Sequence, residues 1–238
     1  MMIDVIPTVD EVKGDDLFQK TVIVVDVLRT SSTIITALAN GSGFIHPVET
    51  IGQAKSFKDK YKALLAGERY YKKIHGFDLG NSPVECKKEI INNKAIVLST
   101  TNGTRTISKA LKGEKVLIGG FLNGQECMKQ ALLNKRDIVI LCAGDKSKFS
   151  LEDGLAAGFL IDQIKKISSE PFKMTDMANA MFGVYKYYED HLINILSETE
   201  SGKKLISLGF EEDIIFSGQT NLYSICPFVD QDQKIMIL

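Results

Sequence analysis

Residues 21–41 read TVIVVDVLRTSSTIITALANG. The first eight form an almost unbroken run of β-branched and apolar side chains, the pattern of a strand buried on both faces. A short polar loop follows. TIITALANG (33–41) then carries its apolar residues at helical spacing and stops at Gly41. A doubly apolar strand that passes through a donor-rich loop into a helix is the repeating unit of α/β proteins.

The same unit recurs along the chain. KAIVL (94–98) leads through STTNGTR to TISKALKG (106–113), KVLIGG (115–120) to NGQECMKQALLN (123–134), and DIVILCAG (137–144) to LEDGLAAGFLIDQIKK (151–166). GFIHPV (43–48) and YKALLAG (61–67) bracket a helical TIGQAKSFKDK (50–60). This alternation predicts a three-layer α/β/α sandwich around a largely parallel or mixed sheet. TIITAL (33–38) and TISKAL (106–111) echo each other, each after a strand and a polar loop. From residue 170 the pattern turns helical, to about Gly209, and 214–238 read as loop and short strand. No Ser/Gly-rich linker sets this late section apart, so residues 1–238 are expected to form a single domain.

Composition excludes more than it selects. The 238 residues are 44% hydrophobic with mean hydropathy near zero and a net charge of −1, which offers no broad basic field for nucleic acid or an anionic membrane surface. No apolar run is long enough to span a bilayer, and the opening residues lack a secretory pattern. Cys86, Cys127, Cys142 and Cys226 are scattered and predict reduced thiols in a cytoplasmic protein. His46, His75 and His191 lack the spacing of a zinc site, so a metal would need oxygen ligands. A homo-oligomer is compatible with this composition.

In an open parallel sheet ligands bind beyond the carboxyl ends of the strands, where loops enter helix N-termini. STTNGTRTI (99–107) fits an anion cradle there, with short donors and Gly103 for close backbone approach; helix capping and turn formation explain the same residues without a ligand. Arginine usage favours the cradle. Among 29 basic residues only four are arginines, and Arg29, Arg69 and Arg105 fall in polar loops while Arg136 reads as surface. Asp26 sits inside an apolar strand, where a carboxylate needs a cation: a metal ion or the nearby Arg29 serve equally. Glu68 lies at another strand end. Glu152 and Asp153 open a helix, where Ser150 and Asp153 also make a capping box. Carboxylates and arginines together suit Mg²⁺, which takes few carboxylates plus water and phosphate oxygens. In GFDLGNSPVE (76–85), Ser82, Pro83 and Glu85 read as a helix start, leaving Asn81 and its neighbours as a turn able to close over a ligand.

The chain resembles the 2-phosphosulfolactate phosphatase family, Mg²⁺-dependent enzymes associated with coenzyme M biosynthesis. The matching stretches are VVDVLRTSSTI (24–34), GER (67–69), GFDLGNSP (76–83), STTNGTR (99–105), CAG (142–144) and LEDGLAAG (151–158). Tyr70 and Tyr71 after GER differ from the smaller residues expected in relatives. The resemblance implies a cytoplasmic α/β/α phosphatase that converts 2-phosphosulfolactate to sulfolactate and phosphate. We assign Mg²⁺ to Asp26, Glu68 and Asp153, with Glu152 as a substitute for one of them. Arg29 and Arg105, with the 101–104 backbone (Thr101, Asn102, Gly103, Thr104), would hold anionic groups, joined by Arg69, Asn81, Ser31 and Ser32. Asp26, Arg29, Glu68 and Arg105 are the expected catalytic set. Water could attack directly or Asp26 could first form a phosphoenzyme; the D-x-D pair of haloacid-dehalogenase-type phosphatases is absent. Alternatives are a same-fold phosphatase for another 2-phospho acid, a non-catalytic binder of an anionic metabolite, and a hydrolase using Cys142 or Ser99, which lacks a histidine base.

Overall fold

The computed structural model describes all residues, 1–238. In chain order the strands are β1 (Met2–Ile6), β2 (Thr21–Val25), β3 (Phe44–Pro47), β4 (Leu64–Arg69), β5 (Lys72–Lys73), β6 (Ala95–Ser99), β7 (Lys115–Ile118), β8 (Ile138–Cys142), β9 (Lys173–Met174), β10 (Pro227–Val229) and β11 (Ile235–Ile237). The helices are α1 (Thr30–Ala39), α2 (Ile51–Tyr61), α3 (Lys88–Ile91), α4 (Gly103–Ala110), α5 (Gly124–Leu133), α6 (Leu151–Ile167), α7 (Asp176–Tyr188), α8 (Leu192–Glu198), α9 (Glu200–Ser207) and α10 (Glu211–Ser217).

Alternation along the central strands produces the three layers. Ile23 and Val25 of β2, and Ile138, Ile140 and Cys142 of β8, belong to one core with Phe121, Phe159 and Leu160. Val22, Val24, Val139 and Leu141 point the other way, into a second core with Ile35, Leu98 and Ile107. Successive strand residues face opposite sides, so a run such as IVILC must be apolar throughout to serve both. The sandwich expected from the repeats is the one observed.

The sheet is mixed in a specific way. Its order is β5-β4-β6-β3-β11-β10-β7-β2-β8-β1-β9. Strands β4, β6 and β3 are mutually parallel, as are β7, β2, β8 and β1. Between these blocks lies the C-terminal hairpin β10–β11, antiparallel to both neighbours and held by one pair on each side, Ile235 to Ile45 and Phe228 to Leu117. Three antiparallel steps reverse the direction, so the two blocks run in opposite senses.

The chain crosses between the blocks twice. α1 carries it from β2 to β3, and α4 carries it back from β6 to β7. The two crossover helices meet at their N-termini, where Thr30 Oγ1 donates to Thr100 Oγ1 at 3.3 Å. A Cβ on Gly103 would lie 2.4 Å from the Thr30 side chain, so glycine there permits the helices to touch. In a flat sheet the carboxyl ends of β2 and β6 would sit on opposite edges. A right-handed twist of roughly 20–25° per strand, accumulated across the five steps between them, turns those ends toward each other.

One segment departs from the sequence-based expectation, and one strand lies where none was assigned. Residues 214–217 belong to α10 instead of an irregular tail. Met2–Ile6 forms a strand that pairs in parallel with β8 on one side and β9 on the other. All four cysteines are free and buried, and no helix is long and apolar enough to cross a membrane.

Candidate active site

A cavity of about 540 Å³ opens where the carboxyl ends of β2, β4, β6 and β8 converge. Its wall takes Asp26 from the end of β2, Glu68 and Arg69 from β4, Thr101 and Asn102 from the turn into α4, and Glu152 and Asp153 from the first turn of α6. Arg29 and Asn81 complete the set of expected residues that the fold brings together.

The floor is acidic and buried. Asp153 Oδ1 accepts from Val27 N at 3.0 Å and its Oδ2 from Gly144 N at 3.1 Å, so one carboxylate ties the β2 and β8 loops together. Glu68 does the same for two other turns, accepting from Thr101 N at 2.7 Å and Tyr71 N at 2.8 Å. Asp26 is less engaged: Oδ1 accepts from Thr30 N at 3.3 Å, while its backbone N–H donates to Ser31 Oγ. None of these carboxylates, nor Glu152, pairs with a lysine or arginine. Burial pushes the Asp26 carboxyl up to about 6, and the neighbouring Glu68 and Glu152 push the same way against the Thr30 hydrogen bonds. Burial also raises Asp153 well above the usual range, reinforced by Asp26 and Glu152. Glu152 is raised by burial too, partly offset by the hydroxyls of Ser201 and Thr199. Burial and mutual repulsion both disfavour the ionised forms of these carboxyls, and a cation bound among them would relieve that cost.

No three of these carboxylates stand ready as a closed metal cage. Mg²⁺ needs only one or two protein carboxylates and completes its shell with water and substrate oxygens. The donor set, all oxygen, fits the ion.

The rim is basic. Lys72, Lys146 and Lys204 are exposed around the mouth. Arg29 lies deeper: Nη1 donates to Asp213 Oδ2 at 2.6 Å and Nη2 to the Tyr71 carbonyl at 2.8 Å, with Phe210 stacked 4.5 Å away. Its partner is therefore Asp213 and not Asp26, which removes the ion-pair explanation for Asp26. Arg69 is knotted into the wall, bonded to the carbonyls of Glu68, Ser99 and Glu49 and to Ser99 Oγ. Asn81 Nδ2 donates to Thr30 Oγ1, but Asn81 Oδ1 is buried without a partner on the cavity wall.

Five expected residues lie elsewhere. Arg105 points out of the cavity and forms a two-bond pair with Asp10. Thr104 caps its own turn, donating from N to Thr100 Oγ1 and from Oγ1 to Thr100 O. Gly103 is the helix contact described above. Ser31 and Ser32 are buried and donate to the carbonyls of Val24 and Val27. The Ser150–Asp153 capping box does not form, because Asp153 serves Val27 and Gly144. Ser82 likewise gives its hydroxyl to Asp213 Oδ1 at 2.6 Å. Cys142 is buried outside the cavity, Ser99 Oγ is taken by Arg69, and His75 is exposed and absent from the wall, so the nucleophile–histidine alternative has no geometry.

The structure adds residues that sequence reasoning missed. Asp145 accepts from Asn102 Nδ2 at 3.0 Å and from the Tyr71 hydroxyl at 3.3 Å, and that hydroxyl also reaches Ser201 Oγ at 3.4 Å. Ser201 and Lys204 arrive from α9 and Asp213 from α10.

Buried carboxylates beneath a ring of cations, at the carboxyl ends of parallel strands, define an α/β enzyme built to hold a small anion. Comparison with known proteins gives that class its family. The 2-phosphosulpholactate phosphatase family model matches residues 6–232, and the chain belongs to this family of phosphoric-monoester hydrolases. It is 37% identical over 231 residues to a "probable 2-phosphosulfolactate phosphatase" of Caldanaerobacter subterraneus subsp. tengcongensis, covering 95% of both chains. A protein of the same name from Thermotoga maritima is 41% identical over 208 residues, 87% of this chain and 88% of that one. Another from Clostridium botulinum is 34% identical over 241 aligned positions, spanning both chains completely. The match extends past residue 171 and so includes the late helices that close the cavity.

Proposed function

We propose that the chain is a Mg²⁺-dependent phosphatase that hydrolyses 2-phosphosulfolactate to sulfolactate and inorganic phosphate. The observation that carries this reading is the buried, cation-free group of Asp26, Glu152 and Asp153 beneath a basic rim. Asp26 and Glu152 would hold the ion, and Glu68 and Asp153, each accepting from two backbone amides, would fix the loops beside it. Bound there, Mg²⁺ supplies charge neutralisation for the phosphoryl group.

The chain's own groups account for the rest. Lys72, Lys146 and Lys204 draw in a substrate bearing phosphate, sulfonate and carboxylate. Arg29 keeps three N–H groups beyond the two bonded to Asp213 and Tyr71, and Asp213 holds its plane fixed. Asn81, Thr101 and Asn102 supply short donors on one side, and Ser201 on the other. Hydrolysis breaks the bond between phosphorus and the ester oxygen as water adds to phosphorus; the leaving oxygen takes a proton. The wall's contribution is alignment and charge compensation.

Phosphate release from a panel of phosphomonoesters including 2-phosphosulfolactate, with Mg²⁺ and with EDTA, tests the reading. Turnover of 2-phosphosulfolactate that vanishes in EDTA is expected. Full activity in EDTA removes the metal, and turnover only of other esters removes the substrate.

A further inference from the structure

In the β4–β5 hairpin the side chains and the backbone are at odds. Glu68 pairs with Lys73 and Arg69 with Lys72, which leaves Tyr70 and Tyr71 as a two-residue loop. Both have positive φ, 53° and 67°. That is the backbone of a type I′ turn, which asparagine and glycine usually fill because bulky side chains rarely adopt it. Two tyrosines suit the turn poorly. A residue held against its backbone preference beside a ligand cavity points to a task for its side chain.

Tyr70 is exposed, whereas Tyr71 lines the cavity and is pinned along its length. Its N–H donates to Glu68 Oε2 at 2.8 Å, and its carbonyl accepts from Arg29 Nη2 at 2.8 Å. The ring packs on the core that holds Phe159 and Leu160. At the far end the hydroxyl donates to Asp145 Oδ2 at 3.3 Å and reaches Ser201 Oγ of α9 at 3.4 Å. Asp145 opens a second turn of the same kind: it exchanges backbone hydrogen bonds with Lys148, and Lys146 and Ser147 between them have φ of 49° and 63°. The Tyr71 phenol thus ties two hairpin tips and a late helix together across the wall. Burial pushes its hydroxyl up to about 12, so it stays protonated and adds no charge to a cavity built for an anion.

We propose that Tyr71 is a specificity-determining residue of this cavity: its ring, pinned at both ends, is a fixed wall that admits a small 2-phospho acid and turns away one with a bulky side group. The inference rests on the phosphatase reading for the kind of guest and adds what limits its size. A wall that cannot retreat discriminates by clash, which a loosely held ring would avoid by turning aside.

2-Phospholactate and 2-phospho-3-phenyllactate carry the same charge and differ by one phenyl ring, so their kcat/KM values with Mg²⁺ compare size alone. The native protein should favour 2-phospholactate. Tyr71→Gly and Tyr71→Asn suit the turn and remove the wall, so each should narrow that preference about tenfold or more, through a lower KM for the phenyl ester. Tyr70→Gly alters the same turn but keeps the Tyr71 ring, and should keep the native preference. If the native protein hydrolyses neither ester, the phosphatase reading falls for this substrate class, and calorimetric affinities for the same pair decide the role of Tyr71. An unchanged preference in both Tyr71 variants overturns the proposal. So does an equal shift in Tyr70→Gly, or a native protein that takes both esters alike. Binding of neither ester overturns both readings.

Discussion

Two loops of this chain look alike in sequence and do different work. DVLRTSST (26–33) and STTNGTRT (99–106) each follow a buried strand, each is rich in hydroxyls and each contains one arginine. In the first, Arg29 precedes α1 and is buried against Asp213, while Asp26 stands on the cavity floor. In the second, Arg105 lies inside α4 and pairs with Asp10 at the surface. Composition does not separate them. The helix start does: beginning α4 at Gly103 turns Thr104, Thr106 and Ile107 inward and leaves Arg105 on the outer face. A cation just before a helix can follow the loop into the cavity, whereas one in the first turn points where the helix face dictates.

The largest difference is expected at Asp26, which has no counterpart in the second loop. Asp26→Asn removes the charge and keeps the shape. Turnover should fall by about 100- to 1000-fold, the size of losing one preorganised charge-stabilising group. The melting temperature should hold or rise, since a buried carboxylate repelled by Glu68 and Glu152 is gone. Kinetics and thermal unfolding on one preparation check both. An active variant, or a badly destabilised one, would return Asp26 to a structural role.

Stability should separate the two arginine pairs next. Asp213→Ala leaves Arg29 buried and unpaired and also strands the Ser82 hydroxyl, so it should cost about 3–5 kcal/mol, or on the order of 10 °C in melting temperature for a chain of this length. Asp10→Ala breaks an exposed pair and should cost about 1 kcal/mol or less. Equal losses from the two variants would mean that burial does not distinguish these pairs.

How far the chain could be read in advance follows the same logic. Runs such as VIVV and IVILC announce strands serving two cores, and Asp26 stands out because a charge interrupts one of them. The reversed sense of the blocks was not legible, because it is set by PFV (227–229) and IMI (235–237), strands too short to show a period. Ser201, Lys204 and Asp213 were hidden for another reason. They sit on helices whose spacing reports which face is buried, and only tertiary packing brings that face to a cavity whose acidic lining residues fall between Asp26 and Asp153. Asp145 lay in a visibly polar loop, but nothing local distinguishes a residue that accepts from Asn102 and Tyr71 from one in solvent.

A smaller effect should couple pH to metal. The Asp26 carboxyl sits near 6 in the folded chain against an ordinary value of 3.8. Between those values the folded state binds the proton more tightly than the unfolded state, so its stabilising contribution is complete below the lower value and is lost as pH rises through the upper one. On the proposed reading, Mg²⁺ bound at Asp26 would replace that proton. The rise in melting temperature on adding Mg²⁺ should therefore be larger at pH 8 than at pH 5, and Asp26→Asn should flatten the difference. Thermal unfolding at both pH values with and without the ion measures it, and equal shifts would place the ion elsewhere.

The smallest effect is expected at Arg105, where the two loops were hardest to tell apart. Bidentate geometry matters when a guanidinium grips a ligand, because lysine keeps the charge and loses the fork. Arg105 uses its fork on Asp10, with nearly half of its side chain exposed. Water and salt screen such a pair, so its net worth is about 0–1 kcal/mol. Arg105→Lys should leave turnover within about a factor of two and the melting temperature nearly unchanged. Arg29→Lys, at the matching place in the first loop, should lower both, because one ammonium cannot serve Asp213 and the Tyr71 carbonyl and still face a substrate. If Arg105→Lys instead slows turnover as much as Arg29→Lys, Arg105 must leave Asp10 when substrate arrives, and the second loop is a cradle that closes only around its anion.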